Sequence, residues 1–179
     1  MGDGSWRRAL LVGMSAAVVL TGCVGSSPTL RVPQGNAVCV QTSGPAWFGV
    51  DATNESSKPL ILAGAQLDES TGAELVDVIV IPEIVESDGT TLLLGSAVDL
   101  AEDSPEQWAA RKPVDGFVIE PGQTVAVALQ IQRLPGVEVA EVSSQTVSYR
   151  PDGKLYNRTV TSLIELSIAE DCSAEDDDE

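Results

Sequence analysis

Apolar residues along most of the chain alternate with polar ones at a period close to two, which is typical of β-strands. In the segment 46–53, for example, Phe48, Val50 and Ala52 fall on one face of an extended chain. Clusters of Gly, Pro, Asn, Asp and Ser interrupt the alternation and indicate turns. The pattern predicts strands over residues 37–41, 46–53, 60–67, 74–81, 90–94, 117–120, 124–134, 137–150 and 155–169.

The turns between these strands also have sequence signals. Residues 68–72 form a polar run that ends in Gly72, which suits a turn with a positive φ. Residues 150–153 contain Pro-Asp-Gly, which is typical of a short hairpin loop. Residues 78–81 are apolar on both faces, so we expect this strand in the interior.

One segment has the pattern of a short helix instead. Ser104 is a suitable N-cap, Pro105 fits the first helical position, and Gln107 follows the cap by three residues. The basic residue Arg111 suits the carboxyl end of a helix, and Pro113 then ends it.

These elements together predict an all-β fold. We expect a two-sheet antiparallel sandwich of about seven or eight strands, with one short helix in a connection. The predicted architecture resembles immunoglobulin-like domains, although the Cys-Trp-Cys spacing of antibody domains is absent. The chain of 179 residues, 43% of them hydrophobic, suffices for one such domain, which we place at residues 37–173.

The amino terminus has the pattern of an export signal. Arg7 and Arg8 provide a positive start, and about a dozen mostly apolar residues follow as far as Leu20. A membrane-spanning helix needs ~20 such residues, so this stretch is too short to cross a bilayer. We therefore expect residues 1–22 to be a signal peptide.

The next residues carry a more specific motif. Leu20-Thr21-Gly22-Cys23 resembles the lipobox of bacterial lipoproteins, in which one large aliphatic and two small residues precede a cysteine. The resemblance implies cleavage between Gly22 and Cys23 and attachment of a diacylglyceryl group to the Cys23 sulfur. Membrane lipid would then hold the protein on the extracytoplasmic face of the cell membrane. The alternatives are an ordinary signal peptide or an uncleaved anchor. The composition also resembles that of uncharacterised actinobacterial lipoproteins, but the mature domain contains no motif of a named family.

Two segments flank the predicted domain. Residues 23–36 are rich in Gly, Ser and Pro and have no apolar period, so we expect a flexible tether. Residues 174–179 contain a block of carboxylates with nothing to bury, which predicts a disordered acidic tail. A cation site in this tail is the alternative, although the run lacks the spaced oxygens of a calcium loop.

The chain has three cysteines. If Cys23 carries lipid, Cys39 and Cys172 remain, one in the first predicted strand and the other just past the last. Two cysteines that bracket an exported domain are typical of a disulfide bond. Free thiols and a two-thiol metal site are the alternatives.

Composition restricts the chemistry further. The chain contains no histidine, which excludes Ser-His-Asp and Cys-His nucleophile systems and makes the usual zinc and copper sites unavailable. We expect no catalytic residues, no metal and no cofactor. The formal net charge of −17 argues against nucleic acid and against an anionic lipid surface as partners, because both need clustered Lys and Arg.

The remaining candidate side chains are acidic or aromatic. Three pairs of adjacent carboxylates fall in predicted turns or at element ends, where solvated surface positions are expected. The large aromatics that could serve recognition are Trp47, Trp108, Tyr149 and Tyr156. Trp47 is expected in the core, whereas Trp108 on the short helix is the better candidate for an exposed contact. The three acidic pairs are Asp68 with Glu69, Glu102 with Asp103, and Glu170 with Asp171.

Two functions follow as hypotheses. The first is a lipid-anchored, non-catalytic binding or structural module that engages an envelope protein, a cell-wall polymer or a small ligand. The alternative is a carboxylate-dependent enzyme, or an enzyme accessory, that acts on envelope material. An enzyme of that kind should show two carboxylates about 5–9 Å apart in one pocket, and a binding module an exposed apolar patch.

Overall fold

A computed structural model describes residues 29–172 as two β-sheets packed face to face. The predicted all-β sandwich is therefore confirmed. Eight strands have five or more residues, and shorter strands extend the sheets. The elements are β1 Leu30–Arg31, β2 Ala37–Gln41, β3 Ala46–Asn54, β4 Leu60–Thr71, β5 Ala73–Pro82, β6 Ile84–Val85, β7 Thr91–Leu92, β8 Ser96–Ala97, α1 Leu100–Asp103, α2 Pro105–Ala110, β9 Lys112–Pro113, β10 Val118–Ile119, β11 Thr124–Arg133, β12 Val139–Pro151, β13 Arg158–Ser162 and β14 Glu165–Ala169.

The first sheet has the strand order β1-β3-β11-β5-β9, with β8 also paired to β3. The second has the order β10-β4-β12-β14-β2, with β13 also paired to β12, and β6 and β7 form a small separate hairpin. The pairs between strands are antiparallel, as predicted, except that β14 and β2 are parallel at the edge of the second sheet. Because β2 lies beside β14, backbone N–H and C=O groups of both strands have hydrogen-bond partners at the sheet edge.

The main core lies between the two sheets. The alternating residues Phe48, Val50 and Ala52 of β3 face it, as their spacing predicts, and each is almost fully buried. Tyr149 of β12 contributes the largest fully buried side chain from the opposite sheet. Burial of each large apolar side chain stabilises the fold by about 1.5–3 kcal/mol.

A second, smaller core covers the outer face of the first sheet. Trp47 of β3 and Ile79 and Ile81 of β5 pack there under Leu100 of α1. Val80, between the two isoleucines, points into the main core instead. This arrangement explains why residues 78–81 are apolar on both faces, and it confirms the interior position predicted for them and for Trp47.

The predicted turn at 68–72 is wrong for most of its length. Strand β4 continues through these polar residues to Thr71, paired with β12. Only Gly72 bends the chain, with a φ of +66°, and it passes the chain from the second sheet to the first. Pairing with a long neighbouring strand outweighs the turn preference of the polar residues, whose side chains remain exposed.

The predicted tether needs a similar correction. Its residues 29–36 lie among those that the structure describes, and Leu30 and Val32 are buried in the main core. Leu30 pairs with Asn54, so the folded domain begins by Thr29 rather than at residue 37. Two apolar residues spaced by two are enough for a short edge strand. The predicted signal peptide, Cys23 and the acidic tail lie outside the described residues.

Two other predicted strands differ from the structure. The segment 90–94 is shortened to the two residues of β7, and the segment 155–169 is divided into β13 and β14. At the interruption, the buried Ile164 carbonyl accepts a hydrogen bond from the Gln145 side chain at 2.7 Å. This bond replaces a backbone partner, which lets the strand bend without leaving that carbonyl unsatisfied.

The predicted helix is present as α2, from Pro105 to Ala110, but Ser104 makes no side-chain capping bond. A further helix, α1, precedes it and was not predicted. Asp99 caps α1 by accepting hydrogen bonds from the backbone N–H groups of Ala101 and Glu102. With only four residues, α1 is too short to give a periodic pattern in the sequence.

Candidate functional site

The predicted disulfide between Cys39 and Cys172 is confirmed. Their Cα atoms are 5.9 Å apart, and the bond joins β2 to the segment just after β14. Since these two strands are parallel neighbours, the bond fixes the sheet edge that the first long strand occupies. The remaining cysteine of the chain, Cys23, lies outside residues 29–172.

Trp108, the candidate for surface recognition, is partly buried and packs against the second core. Its ring packs edge-on against Trp47, with the centroids 6.2 Å apart, and the Arg111 guanidinium lies 3.6 Å above it. The contact with Trp47 of β3 gives this tryptophan a structural role in attaching α2 to the first sheet.

A cleft of about 500 Å³ lies between the β6–β7 hairpin and α2. Its walls are formed by the Leu92–Ser96 segment on one side and by residues 104–107 on the other. Glu86 and Glu106 both line this cleft, but both side chains are exposed to solvent. Both carboxylates are therefore open to water rather than enclosed in the cleft.

A smaller cavity of about 260 Å³ contains one carboxylate, that of Asp51. Burial raises the pKa of Asp51 above its ordinary value, and the positive charge of Arg31 partly offsets this rise. Phe48, Val38 and Leu166 contribute apolar walls. A single carboxylate in an apolar cavity lacks the second acid or base that glycoside hydrolysis requires.

The three acidic pairs lie apart on the surface and have structural partners. Asp68 lies on β4, not in a turn, and accepts hydrogen bonds from Thr146 and, at 2.9 Å, from Gln66. Asp103 accepts from the backbone N–H of Asp99 at 3.0 Å. Glu170 forms a salt bridge of 2.9 Å with Arg133. The structure does not bring these pairs together at one site.

Two further observations concern residues 29–172 only. No group of three or more cysteine or acidic side chains there is arranged to hold a metal ion. Neither α1 nor α2 is long and apolar enough to cross a membrane.

The loop between β12 and β13, residues 152–157, presents two apolar side chains, of which Tyr156 is one of the aromatic candidates from the sequence and Leu155 was missed. Leu155 is 101% exposed and Tyr156 is 53% exposed. The Arg158 guanidinium lies 5.9 Å from the Tyr156 ring. Hydrogen bonding to Arg158, together with its charge, lowers the pKa of the Tyr156 phenol. The sequence pattern assigned Leu155 to the start of a strand, and nothing in that pattern distinguishes an exposed leucine from a buried one.

This loop and the amino-terminal entry to the domain lie at the same end of the sandwich. The backbone N–H of Asp152 bonds to the Pro59 carbonyl at 3.1 Å, so the loop adjoins the β3–β4 connection. The N–H of Glu55, in the same connection, bonds to the Thr29 carbonyl at 2.9 Å. The Thr29 hydroxyl also donates to the Tyr149 hydroxyl at 3.3 Å, which links it to β12.

Basic residues are frequent in the segments that meet at this end of the sandwich. We call the segments 29–31, 54–59, 119–123 and 150–158 the entry end of the domain. It contains five cations and three carboxylates, whereas the whole chain has a formal net charge of −17. One of the carboxylates, Glu55, is paired with Arg31 at 2.7 Å. The cations are Arg31, Lys58, Arg150, Lys154 and Arg158, and the carboxylates are Glu55, Glu120 and Asp152.

Comparison with known proteins gives only distant likenesses. No family model and no curated protein matches the chain. Among solved structures, the VesB protease of Vibrio cholerae is 11% identical, with a TM-score of 0.41, over 78% of this chain and 32% of that one. The native conformation of E. coli alpha-2-macroglobulin is 12% identical, with a TM-score of 0.40, over 79% of this chain and 7% of that one.

A third likeness involves a whole domain. The ASH/PapD-like domain 7 of human CEP192 is 10% identical, with a TM-score of 0.39, over 94% of this chain and 98% of that domain. The chain thus spans about a third of the protease and far less of the macroglobulin. The fold of residues 29–172 is a two-sheet β-sandwich, and none of these likenesses assigns it an activity or a partner.

Proposed function

We propose that this protein is a lipoprotein of the bacterial cell envelope, anchored through Cys23 and presenting a non-catalytic β-sandwich that binds a partner or has a structural role. The observation that carries the anchor is the distribution of the cysteines. Cys39 and Cys172 are bonded to each other. The remaining cysteine is the one that follows Leu20-Thr21-Gly22, in the position of a lipobox cysteine.

A disulfide that joins the two ends of the domain also suits export. Such bonds persist in oxidising compartments outside the cytoplasm and are rare inside it. Two acyl chains on one diacylglyceryl group hold a protein stably at a membrane, whereas a single chain gives marginal, reversible binding.

The binding or structural role is supported by the surface of the domain. The exposed Leu155 and Tyr156 project from a loop with basic neighbours, a combination typical of contact surfaces. The two glutamates that line the cleft beside α2, Glu86 and Glu106, are open to water rather than enclosed.

The anchor is tested by metabolic labelling with an alkynyl fatty acid in the native host. We expect wild-type protein to incorporate the label and Cys23→Ala to incorporate none. Ser26→Ala, which changes a neighbouring residue outside the lipobox, is the control and should be labelled like wild type. Equal labelling of the Cys23→Ala variant, or no labelling of wild type, would contradict the anchor.

The partner is sought by crosslinking in intact cells followed by mass spectrometry. A photoreactive amino acid at Leu155 is compared with one at Val85, which is also exposed but lies in the β6–β7 hairpin. A specific protein or cell-wall product from the Leu155 position supports the protein or polymer form of the binding role.

The second candidate, an envelope enzyme, is supported by pockets that more than one carboxylate lines, among them the cleft with Glu86 and Glu106. If these carboxylates act as acid and base, neither the Glu86→Gln nor the Glu106→Gln variant should restore the wild-type phenotype of a deletion strain. The exposed Glu83→Gln serves as the control. Full complementation by both cleft variants would exclude this mechanism.

A further inference from the structure

We propose that the loop 152–157 docks on the surface of the membrane that holds Cys23, with Leu155 and Tyr156 in the interfacial layer and the neighbouring cations against anionic lipid headgroups. The inference rests on the proposed lipid anchor and adds an orientation to it. The anchor alone limits the distance between the entry end and the membrane, but it does not determine which surface of that end contacts the lipid.

The first observation behind the proposal is the position at which the chain enters the domain. Cys23 and Thr29 are separated by six residues, which span at most about 20 Å when fully extended. Thr29 is bonded to Glu55 and Tyr149 at the entry end. The lipid on Cys23 therefore keeps this end of the sandwich near the membrane, and the loop 152–157 belongs to the same end.

The exposed side chains carry the second step. A fully exposed leucine beside a half-exposed tyrosine leaves apolar surface in water at the tip of a hairpin. Tyrosine is enriched at membrane–water interfaces, because its ring is apolar and its hydroxyl remains hydrated. Val118, 42% exposed on β10 at the same end, adds a further apolar contact.

Charge complementarity carries the third step. The entry end has more cations than carboxylates in a chain that is otherwise strongly acidic. Anionic headgroups attract such cations, whereas the remaining acidic surface is repelled by them. The two effects together favour an orientation with the entry end facing the lipid. This local excess departs from the expectation drawn from the net charge of the whole chain, which argues against contact with an anionic lipid surface.

The test uses the full lipidated protein, reconstituted in vesicles of brominated phosphatidylcholine with or without phosphatidylglycerol. Bromine quenches tryptophan fluorescence only on contact with the acyl region. Tyr156→Trp places the reporter in the loop. Val139→Trp is the matched control, because it lies about 40 Å away at the other end of β12 and is also exposed.

We expect fluorescence from Tyr156→Trp to be quenched in vesicles with phosphatidylglycerol, relative to wild-type protein, and fluorescence from Val139→Trp to be unchanged. In the Tyr156→Trp background, Lys154→Gln should lower the ratio of docked to undocked protein about fivefold, since each cation near an anionic surface contributes that factor. Lys112→Gln, an exposed lysine on β9, should leave the ratio unchanged.

The outcomes separate the two proposals. If mass spectrometry of the purified protein finds no lipid on Cys23, the anchor proposal fails. If lipid is present and neither reporter is quenched, or both are quenched equally, the docking proposal alone is overturned. Quenching that is unaffected by Lys154→Gln and by removal of phosphatidylglycerol would overturn the assignment to anionic headgroups. Efficient crosslinking from Leu155 to an acidic protein, without quenching, would replace the membrane with that partner.

Discussion

Removal of the disulfide should destabilise the domain strongly, because the bond closes almost the whole folded chain. Cys39 and Cys172 are separated by 133 residues. For a loop of that length, the lost entropy of the unfolded chain corresponds to about 5 kcal/mol at 25 °C in the chain-entropy treatment. Domains of this size are stable by about 5–15 kcal/mol in total, so the bond accounts for a large fraction of the free energy of unfolding.

The assay is urea unfolding of residues 24–179, followed by the fluorescence of the buried Trp47. The double variant Cys39→Ser/Cys172→Ser is compared with the oxidised and the reduced wild-type protein. Both forms without the bond should unfold at a lower urea concentration by similar amounts. Their m-values should also rise, because an unfolded chain without the cross-link exposes more surface.

The bond also has a local effect that the structure predicts. Strand β2 is the edge of the second sheet and pairs only with β14 among the described strands. Without the bond, amide exchange in residues 37–41 should accelerate more than exchange in β11, which lies between β3 and β5. A loss of stability below about 1 kcal/mol, or uniform exchange, would refute this account of the bond.

Two other predictions concern single residues of β3. Gly49→Ala should lower the free energy of unfolding by about 1–3 kcal/mol, because a Cβ there would lie 1.9 Å from the Leu94 carbonyl oxygen. Urea unfolding measures this loss, and Gly44→Ala is the control, because a Cβ at Gly44 would lie 3.7 Å from its nearest atom. Equal costs for the two variants would contradict the predicted clash. Burial raises the pKa of Asp51 in the folded state, so its ionisation opposes folding, and this loss of stability develops as pH rises from the unfolded pKa through the folded one. Asp51→Asn should therefore raise the free energy of unfolding at pH 7 and flatten its dependence on pH in that window. A lower melting temperature of the variant at pH 7 would contradict this and would show that the folded state stabilises the carboxylate, for example through Arg31.

The sequence predicts the sandwich because the alternation of side chains is set by the pleat of each strand. Residues 46–53 illustrate this, since Phe48, Val50 and Ala52 enter the main core as their spacing requires. The doubly apolar segment 78–81 is interior for the same local reason. Both patterns describe which face is buried, and burial is largely a property of single strands.

The pairing between strands is harder to predict from the sequence, because it depends on residues that are distant along the chain. Nothing near Thr71 indicates that β4 continues through a polar run, since its support comes from β12. The parallel pairing of β2 with β14 similarly joins the two ends of the domain. The sequence predicts the bond between Cys39 and Cys172 only because cysteines are few and their chemistry is pairwise.

The candidate contact surface was the hardest feature to predict. Leu155 follows a Pro-Asp-Gly turn, and in the sequence it resembles the first residue of a strand. Its exposure results from the late start of β13 at Arg158, and its position near the chain entry results from contacts of Thr29 across the sandwich. A binding role depends on this three-dimensional arrangement rather than on a local motif.

The central claim is the lipid anchor at Cys23, and mass spectrometry of the amino-terminal peptide tests it most directly. The protein is extracted from membranes of the native host and digested, and its first peptide is sequenced. The account predicts a peptide that begins at Cys23 and carries the mass of a diacylglyceryl group on the sulfur. A peptide that begins elsewhere, or an unmodified Cys23, would contradict it.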